Sequence, residues 1–147
     1  MDYRIAIGSD HGGFELKSEL VKYLGEKGCH LTDVGTHSLD SCDYPDYCFQ
    51  VAENVQSKKC DRGIVICTTG IGASICANKV AGVRAALCLN TDQAELTRQH
   101  NDANVLALAA KYVSVSLAKE ICDMWLLTAF EGGRHQRRID KITEKEV

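Results

Sequence analysis

The strand-like run Ile64–Cys67, with the turn and helix that follow it, constrains the fold of this chain more than any other segment. Three β-branched apolar residues in a row before a cysteine are typical of a buried strand in a parallel sheet. The turn Thr68–Gly72 comes next, and residues 73–79 are predicted to be helical. In open α/β sheets such a unit brings the carboxyl end of a strand next to a helix N-terminus, where ligands usually bind. Cys67 is therefore predicted to lie at a ligand-binding edge.

Two interpretations of Cys67 compete at this point. A cysteine at a strand end is commonly an inert, small apolar residue. Against that, the backbone N–H groups of residues 68–72 are placed to face an oxyanion. The positive field of a helix N-terminus also favours the thiolate form of a cysteine. The other motifs of the chain favour the functional thiol.

Composition indicates an ordinary globular chain. The 147 residues are 45% hydrophobic and 25% charged, which is neither a disordered nor a membrane-spanning composition. No apolar run approaches the roughly 20 residues of a membrane helix, so no membrane association is expected. A net charge of −3 gives no reason to expect a nucleic-acid partner. No signal peptide is visible at the start, and a cytoplasmic location is expected.

Cysteine usage raises the possibility of disulfides or of structural zinc. The eight cysteines stand at positions 29, 42, 48, 60, 67, 76, 88 and 122. No two have the C-x₂₋₄-C spacing of a zinc site, and there is no CxxC redox motif. Several lie in apolar runs, where a free cysteine acts as a small hydrophobic residue. The cysteines are therefore expected to be reduced, with no bound metal.

Strand and helix patterns alternate along the chain. Strands are predicted over residues 4–8, 29–34, 64–67, 84–89 and 104–109. Helices are predicted around Leu16, Leu20 and Leu24, over about 46–57 and 73–79, from a cap at Thr91 to near His100, after Ser114 or Ser116, and in a short final segment from about 134. This pattern predicts a single domain over residues 1–147. The expected fold is a three-layer α/β/α sandwich with a five-stranded parallel sheet, doubly wound and Rossmann-like. The order of the strands stays open.

Polar residues follow the predicted strands at one edge of this sheet. Asp10 and His11 come after the first strand, and Cys67 and the turn 68–72 come after the third. His100, by contrast, precedes the fifth strand, which places it at the opposite edge. For His100 to join Cys67, either its helix must reach over the sheet or a second subunit must supply it. The pattern does not choose between these arrangements.

Several familiar nucleotide and phosphate motifs are absent. The pair Gly70 and Gly72 lacks the third glycine of a dinucleotide-binding turn, because Ile75 stands there. No G-x₄-G-K-[ST] sequence is present. A C-x₅-R phosphatase loop starting at Cys67 would need arginine at position 73, which is Ala73. A Cys67–His100 nucleophile pair remains conceivable, but no acyl-transfer signature accompanies it.

The motifs together resemble those of the ribose-5-phosphate isomerase B family of sugar-phosphate isomerases (RpiB/LacA/LacB). The resemblance covers nearly the whole chain and rests on residues 8–13, 43–47, 67–72, 77–79, 98–104 and 131–136. It implies interconversion of aldose and ketose phosphates without a metal or other cofactor. It also implies a homodimer, or a tetramer, whose sites draw residues from both subunits. The leading substrate pair is ribose 5-phosphate and ribulose 5-phosphate, in the pentose phosphate pathway.

The resemblance also assigns roles to individual residues. Cys67 would be the base that moves a proton between the first two sugar carbons, and His100 would open the sugar ring with Asp10 as its partner. The remaining binding residues implied by the resemblance are His11, Thr68, Thr69, Gly70, Ile71, Gly72, Asn101, Lys111, Arg134 and Arg138. Within this set the amides of residues 68–72 would stabilise the enediolate, and the two arginines would bind phosphate.

Three departures from the family pattern bear on substrate preference. Thr68 stands where glycine is common, Lys111 where arginine is usual, and Ala109-Ala110 where a glycine-containing pair is commoner. The alternatives are an isomerase of allose 6-phosphate or galactose 6-phosphate, a non-catalytic sugar-phosphate binder and, last, a redox-active thiol protein. His30, His37 and His135 are expected to be surface residues without a role.

Overall fold

The computed structural model describes residues 1–146 and confirms the predicted fold class, with five parallel strands between two layers of helices. The strands are β1 (Arg4–Ser9), β2 (His30–Gly35), β3 (Arg62–Cys67), β4 (Ala85–Leu87) and β5 (Val105–Ala109). The helices are α1 (Phe14–Glu26), α2 (Tyr44–Gln56), α3 (Ile71–Ala77), α4 (Thr91–Asn101), α5 (Val115–Leu127) and α6 (Arg134–Thr143). A short 3₁₀ turn, His11–Gly13, precedes α1. None of the helices within residues 1–146 is long and apolar enough to cross a bilayer.

The strand order, which the sequence left open, is β2-β1-β3-β5-β4. Alternate side chains of the central strands feed two separate cores. Ile64 and Ile66 of β3 join the core formed with α1, α4 and α5, whereas Val65 and Cys67 join the core formed with α2 and α3. Strand β2 pairs with one side of β1, and the chain then crosses to the other side of β1 to form β3. The carboxyl ends of β1 and β3 therefore flank the switch point at which such sheets bind ligands.

Several element ends differ from the sequence expectation, and α3, for example, spans Ile71–Ala77 and not residues 73–79. Strand β4 spans only Ala85–Leu87, not residues 84–89, and the side chain of Asn78 pairs with the backbone N–H and C=O of Ala85 at 2.8 and 2.9 Å. Asn78 thus occupies the open edge of the sheet at the start of β4. The cap of α4 is Asn90, which accepts the N–H of Gln93, and not Thr91. Ser114 caps α5, one of the two predicted alternatives.

All eight cysteines are free thiols, and only Cys42 is more than slightly exposed. Burial raises the pKa of Cys88 to about 12 and also raises the pKa values of Cys48 and Cys122. A thiol with a raised pKa stays protonated and unreactive at neutral pH. These three cysteines are therefore core residues and not candidates for thiol chemistry.

Candidate active site

Residues at the carboxyl ends of β1, β3 and β5 form the first of two groups, which we call the carboxyl half-site: Asp10, His11, Cys67, residues 68–72 and Lys111. Strands β1 and β3 are neighbours, with Ser9 opposite Ile66, so the loops after them lie side by side. The contact is so close that a Cβ atom on Gly12 would collide with the Oγ1 atom of Thr68. A side chain at position 12 would force Thr68 to move, so the loop containing Asp10 lies tightly against the loop containing Cys67.

Asp10 is buried and forms the start of the 3₁₀ turn. Its Oδ1 atom accepts the backbone N–H of Gly13 at 3.2 Å, and its extended backbone makes it the N-cap of the turn. The carboxylate would lie 3.3 Å from a Cβ atom at Gly12, which places it beside the Cys67 loop. Asp10 is thus fixed at the switch point.

The Cys67 sulfur accepts a hydrogen bond from the backbone N–H of Gly70 at 3.1 Å. Gly70 has a φ of 73°, and a Cβ atom there would lie 3.1 Å from the backbone of Leu108, so this turn requires glycine. An N–H group aimed at sulfur stabilises negative charge on it. Cys67 is only 4% exposed, so its side chain is almost wholly enclosed within one protomer.

The loop after β5 is bonded to the loop after β3. The N–H of Lys111 donates to the carbonyl oxygen of Thr68 at 2.9 Å, and the N–H of Ala110 donates to that of Cys67 at 3.1 Å. Lys111 therefore belongs to the carboxyl half-site, where a cationic side chain can face an anion. Thr68 is not among the residues with positive φ, so the turn accepts its β-branched side chain without backbone strain.

His11 is oriented by a contact that the sequence did not reveal. Its Nδ1 atom accepts the backbone N–H of Cys42 at 3.2 Å. Since a backbone N–H can only donate, Nδ1 of His11 must be unprotonated, and we assign the proton of the neutral ring to Nε2. His11 is exposed, so its Nε2–H is available as a hydrogen-bond donor to a ligand.

Tyr44 is a residue of this region to which sequence reasoning gave no role, unlike His11. A Cβ atom at Gly72 would lie 2.8 Å from the Tyr44 hydroxyl oxygen, so the phenol ring covers the start of α3. The signal was present in the motif of residues 43–47, which carried the resemblance. The spacing alone did not show that α2 would bring this side chain over the turn 68–72.

The second group, which we call the helical half-site, comprises His100 and Asn101 at the end of α4 and Arg134 and Arg138 on α6. Buried Arg98 holds the last turn of α4 in place. Its Nη1 atom donates to Asp102 Oδ1 and to the Ala103 carbonyl oxygen, both at 2.8 Å, and its Nε donates to the Thr128 carbonyl oxygen at 3.3 Å.

His135 contradicts its expected place on the surface. It is only 6% exposed and stacks on His100, with ring centroids 4.4 Å apart and ring planes 14° from parallel. Its Nε2 atom lies 3.5 Å from a carboxylate oxygen of Glu131 but has no hydrogen-bond partner among the described residues 1–146. Burial, the neighbouring His100 and the nearby Arg134 and Arg138 lower the pKa of His135, so its ring is neutral at pH 7.

Arg134 and Arg138 lie one turn apart on α6 and are both exposed. Both flank His135 on α6, and His135 stacks on His100, so this part of α6 lies beside the end of α4. Two arginines at this spacing face the same side of a helix and can bind one phosphate. The helical half-site thus combines an imidazole, an amide and two cations.

The two half-sites lie at opposite ends of the sheet. Cys67 is in register with Ala109 at the end of β5, whereas Val105 at its start is in register with Gly63. Four residues of strand separate these levels, about 13 Å. His100 and Asn101 lie beyond the Val105 end, where the Asn101 carbonyl oxygen accepts from Arg84 at 2.9 Å. Within one protomer, α4 does not bring His100 over to Cys67.

His100, Glu131 and His135 also place possible metal-ligating atoms within 4.8 Å of one another. The nitrogen lone pairs of an imidazole lie in the plane of its ring. Because the two ring planes are only 14° from parallel, these lone pairs run side by side and do not converge on one ion. The arrangement suits packing between rings better than chelation.

Comparison with known proteins identifies the family. The sequence pattern of the Ribose/Galactose Isomerase family matches residues 5–142, and the chain belongs to this family of isomerases. The ribose-5-phosphate isomerase B of Escherichia coli K12 is 51% identical over 143 residues, covering 97% of this chain and 96% of that protein.

Solved structures agree with this assignment. Ribose-5-phosphate isomerase B from Clostridium thermocellum has a TM-score of 0.95 and 53% identity, covering 98% of this chain and 96% of that one. The Mycoplasma genitalium enzyme with bound ribulose-5-phosphate has a TM-score of 0.93 and 47% identity, covering 98% and 97% of the respective chains. The predicted resemblance and fold class are thereby confirmed.

Proposed function

We propose that this protein interconverts D-ribose 5-phosphate and D-ribulose 5-phosphate through an enediolate. The observation that carries the proposal is the presence, in one chain of this family, of both halves of the required chemistry. One half is the thiol of Cys67, which accepts a hydrogen bond from a backbone N–H group. The other half is the imidazole of His100, which lies beside the helix that carries two exposed arginines. The similarity to enzymes named for this reaction, one of them with ribulose-5-phosphate bound, supports the choice of substrate.

In the proposed mechanism the two half-sites act in sequence. Ribose 5-phosphate is mostly a closed ring, and His100, with Asp10 as its partner, transfers the proton that opens it. Cys67 then removes a proton from C2 and returns it to C1. The negative charge of the enediolate is stabilised by the amides of residues 68–72, and one such donor contributes roughly 3–4 kcal/mol.

Substrate binding is assigned to the polar groups around these residues. Arg134 and Arg138 bind the phosphate, and Asn101 contacts the sugar. His11 donates through Nε2–H, and the cation of Lys111 faces the same anionic substrate. The chain's own side chains supply the acid, the base and the phosphate ligands, so the proposal includes no metal or other cofactor.

We further propose a homodimer in which the carboxyl half-site of one subunit faces the helical half-site of its partner. The support is the separation of Cys67 from His100 at opposite ends of the sheet. Exposed apolar side chains beside the carboxyl half-site, Tyr44, Ile71 and Ile75, give such a partner a surface to cover. A cytoplasmic location belongs to the same proposal and is consistent with eight free thiols.

The direct test is a comparison of kcat/KM for ribose 5-phosphate and allose 6-phosphate, in the presence of EDTA. We expect efficient turnover of the five-carbon substrate that EDTA does not reduce. A preference for allose 6-phosphate would move the assignment to the six-carbon branch of the family. Absence of turnover with either sugar would refute the proposed function.

The phosphate site predicts a binding defect in two single variants. Arg134→Ala and Arg138→Ala should each raise KM for ribose 5-phosphate by about tenfold or more, because each loses a charge-assisted bond of about 1.5–3 kcal/mol. The neighbouring Arg137→Ala is the matched control, since Arg137 is an exposed arginine of the same helix, about 100° around it from Arg138, and has no role in the proposed site. An unchanged KM in both variants, or an equal rise in the control, would contradict phosphate binding by this pair.

The shared site predicts complementation between two inactive chains. Cys67→Ser and His100→Asn homodimers should each be nearly inactive. After denaturation and refolding together, about half of the dimers are mixed, and each has one intact site, so about a quarter of wild-type activity should return. Activity that stays at the level of the separate variants would show that each site is built from one chain.

A further inference from the structure

The stacked pair of histidines is a feature that the proposed roles leave unexplained. His100 has an assigned function, but His135 has none, although it is the buried member of the pair. A histidine that is 94% buried with an unbonded Nε2 loses hydration without a compensating hydrogen bond. This unbonded nitrogen gives His135 no polar role of its own, and the contact that remains to be explained is its stacking on His100.

The geometry of the pair limits how His100 can move. His100 sits in the last turn of α4, which Arg98 holds through Asp102 and Ala103. Its backbone is therefore fixed, but within residues 1–146 no side-chain hydrogen bond restrains its ring. The flat face of His135, at 4.4 Å and 14° from parallel, is the contact that sets the ring plane of His100.

The charges around His135 explain why it can lie so close to a group that must carry a proton. Arg134 and Arg138 on α6 and His100 on α4 oppose a positive charge on His135, and Glu131 favours one. Together with burial, these groups keep His135 neutral. A neutral His135 ring can lie against His100 whether His100 is neutral or protonated. It adds no charge repulsion, and its π face attracts the imidazolium form of His100.

We propose that His135 is a positioning residue for ring opening: it packs face to face on His100 and fixes the orientation in which His100 transfers its proton to the sugar. This inference rests on the proposed function of His100. It separates the roles of the two rings, since His100 exchanges the proton and His135 supplies the surface. The nitrogen atoms of His135 are not required for the reaction, whereas its aromatic face is.

The test compares His135→Phe, which keeps a flat ring, with His135→Leu, which removes it. The Leu variant should convert ribose 5-phosphate at least about tenfold more slowly, because misplacing a catalytic group by about 1 Å can cost up to 10²-fold. The Phe variant should retain most of the activity. His135→Asn, a smaller polar replacement without a ring, should behave like the Leu variant and serves if leucine prevents folding.

A second readout distinguishes positioning from general damage to the fold. In D₂O, Cys67 exchanges the C1 proton of ribulose 5-phosphate without any ring step. We expect this exchange, followed by NMR, to persist in the Leu and Asn variants while net conversion to ribose 5-phosphate falls. Loss of exchange in parallel with conversion, unchanged conversion in the Leu variant, or equal losses in the Leu and Phe variants would each overturn the proposal.

Failure of the proposed function can be distinguished from failure of the positioning role of His135. If the wild-type chain converts neither sugar phosphate, the proposed function fails, and the stacking is then judged on the substrate-free protein. The ring protons of His100 should show an upfield NMR shift from the adjacent ring in wild type and in His135→Phe, and should lose it in His135→Leu. Absence of that shift in wild type would refute the positioning role without any activity measurement.

Discussion

Replacing Cys67 with serine is expected to lower kcat for ribose 5-phosphate by at least about 10²-fold while leaving the fold intact. A serine hydroxyl is nearly the same size as the thiol, but it is a far weaker acid and does not provide a base at neutral pH. The hydrogen bond from the Gly70 N–H at 3.1 Å can form to either atom, so the turn is preserved. The loss is therefore assigned to proton transfer between C2 and C1.

The matched control for this variant is Cys76→Ala. Cys76 is a neighbouring thiol of the same core, 9% exposed on α3, and it has no place in the proposed mechanism. Its replacement should change stability but not kcat. Steady-state kinetics and thermal unfolding of both variants give the comparison. Near-normal turnover in Cys67→Ser would remove the sulfur from the mechanism.

His100→Asn is expected to reduce net conversion of ribose 5-phosphate by about 10²-fold, because an amide cannot transfer the proton that opens the ring. Deuterium exchange at C1 of ribulose 5-phosphate should continue, since that substrate is phosphorylated at the hydroxyl that would close its ring. The ratio of exchange to conversion therefore separates ring opening from enediolate formation. Equal losses of both would refute the ring-opening role.

A histidine far from either half-site provides the control for His100→Asn. His30 is exposed at the start of β2, where its Nε2 atom lies 3.0 Å from Asp2. His30→Asn introduces the same chemical change outside the proposed site. It should leave both conversion and exchange at wild-type levels.

The fold and the carboxyl half-site were largely accessible from sequence because their signals are local. The apolar run ending at Cys67 and the glycines at 70 and 72 specify a buried strand and a tight turn wherever the chain places them. That the loops after β1, β3 and β5 lie together at one edge then follows from the geometry of a parallel sheet. Even the separation of His100 from Cys67 could be derived, because His100 precedes its strand and Cys67 ends one.

The helical half-site was harder to predict because its key contact is between distant segments. His135 stands among arginines, and such a sequence predicts a solvated tail. Its burial results from α6 packing against the end of α4, which no local pattern encodes. The contact of Asn78 with Ala85 at the start of β4 has a similar origin, since the two residues meet only once both segments are folded. The covering of Gly72 by Tyr44 also depends on tertiary packing.

The placement of the thiol and the imidazole at opposite ends of one sheet has a consequence for how the enzyme responds to dilution. Under the proposed arrangement a lone protomer holds two incomplete centres and turns over nothing. At protein concentrations far below the dissociation constant of the dimer, total activity should then rise with the square of the protein concentration, because the concentration of dimers does so. Expression level would set not only how much of the protein a cell contains but also what fraction of it is in the active, dimeric form.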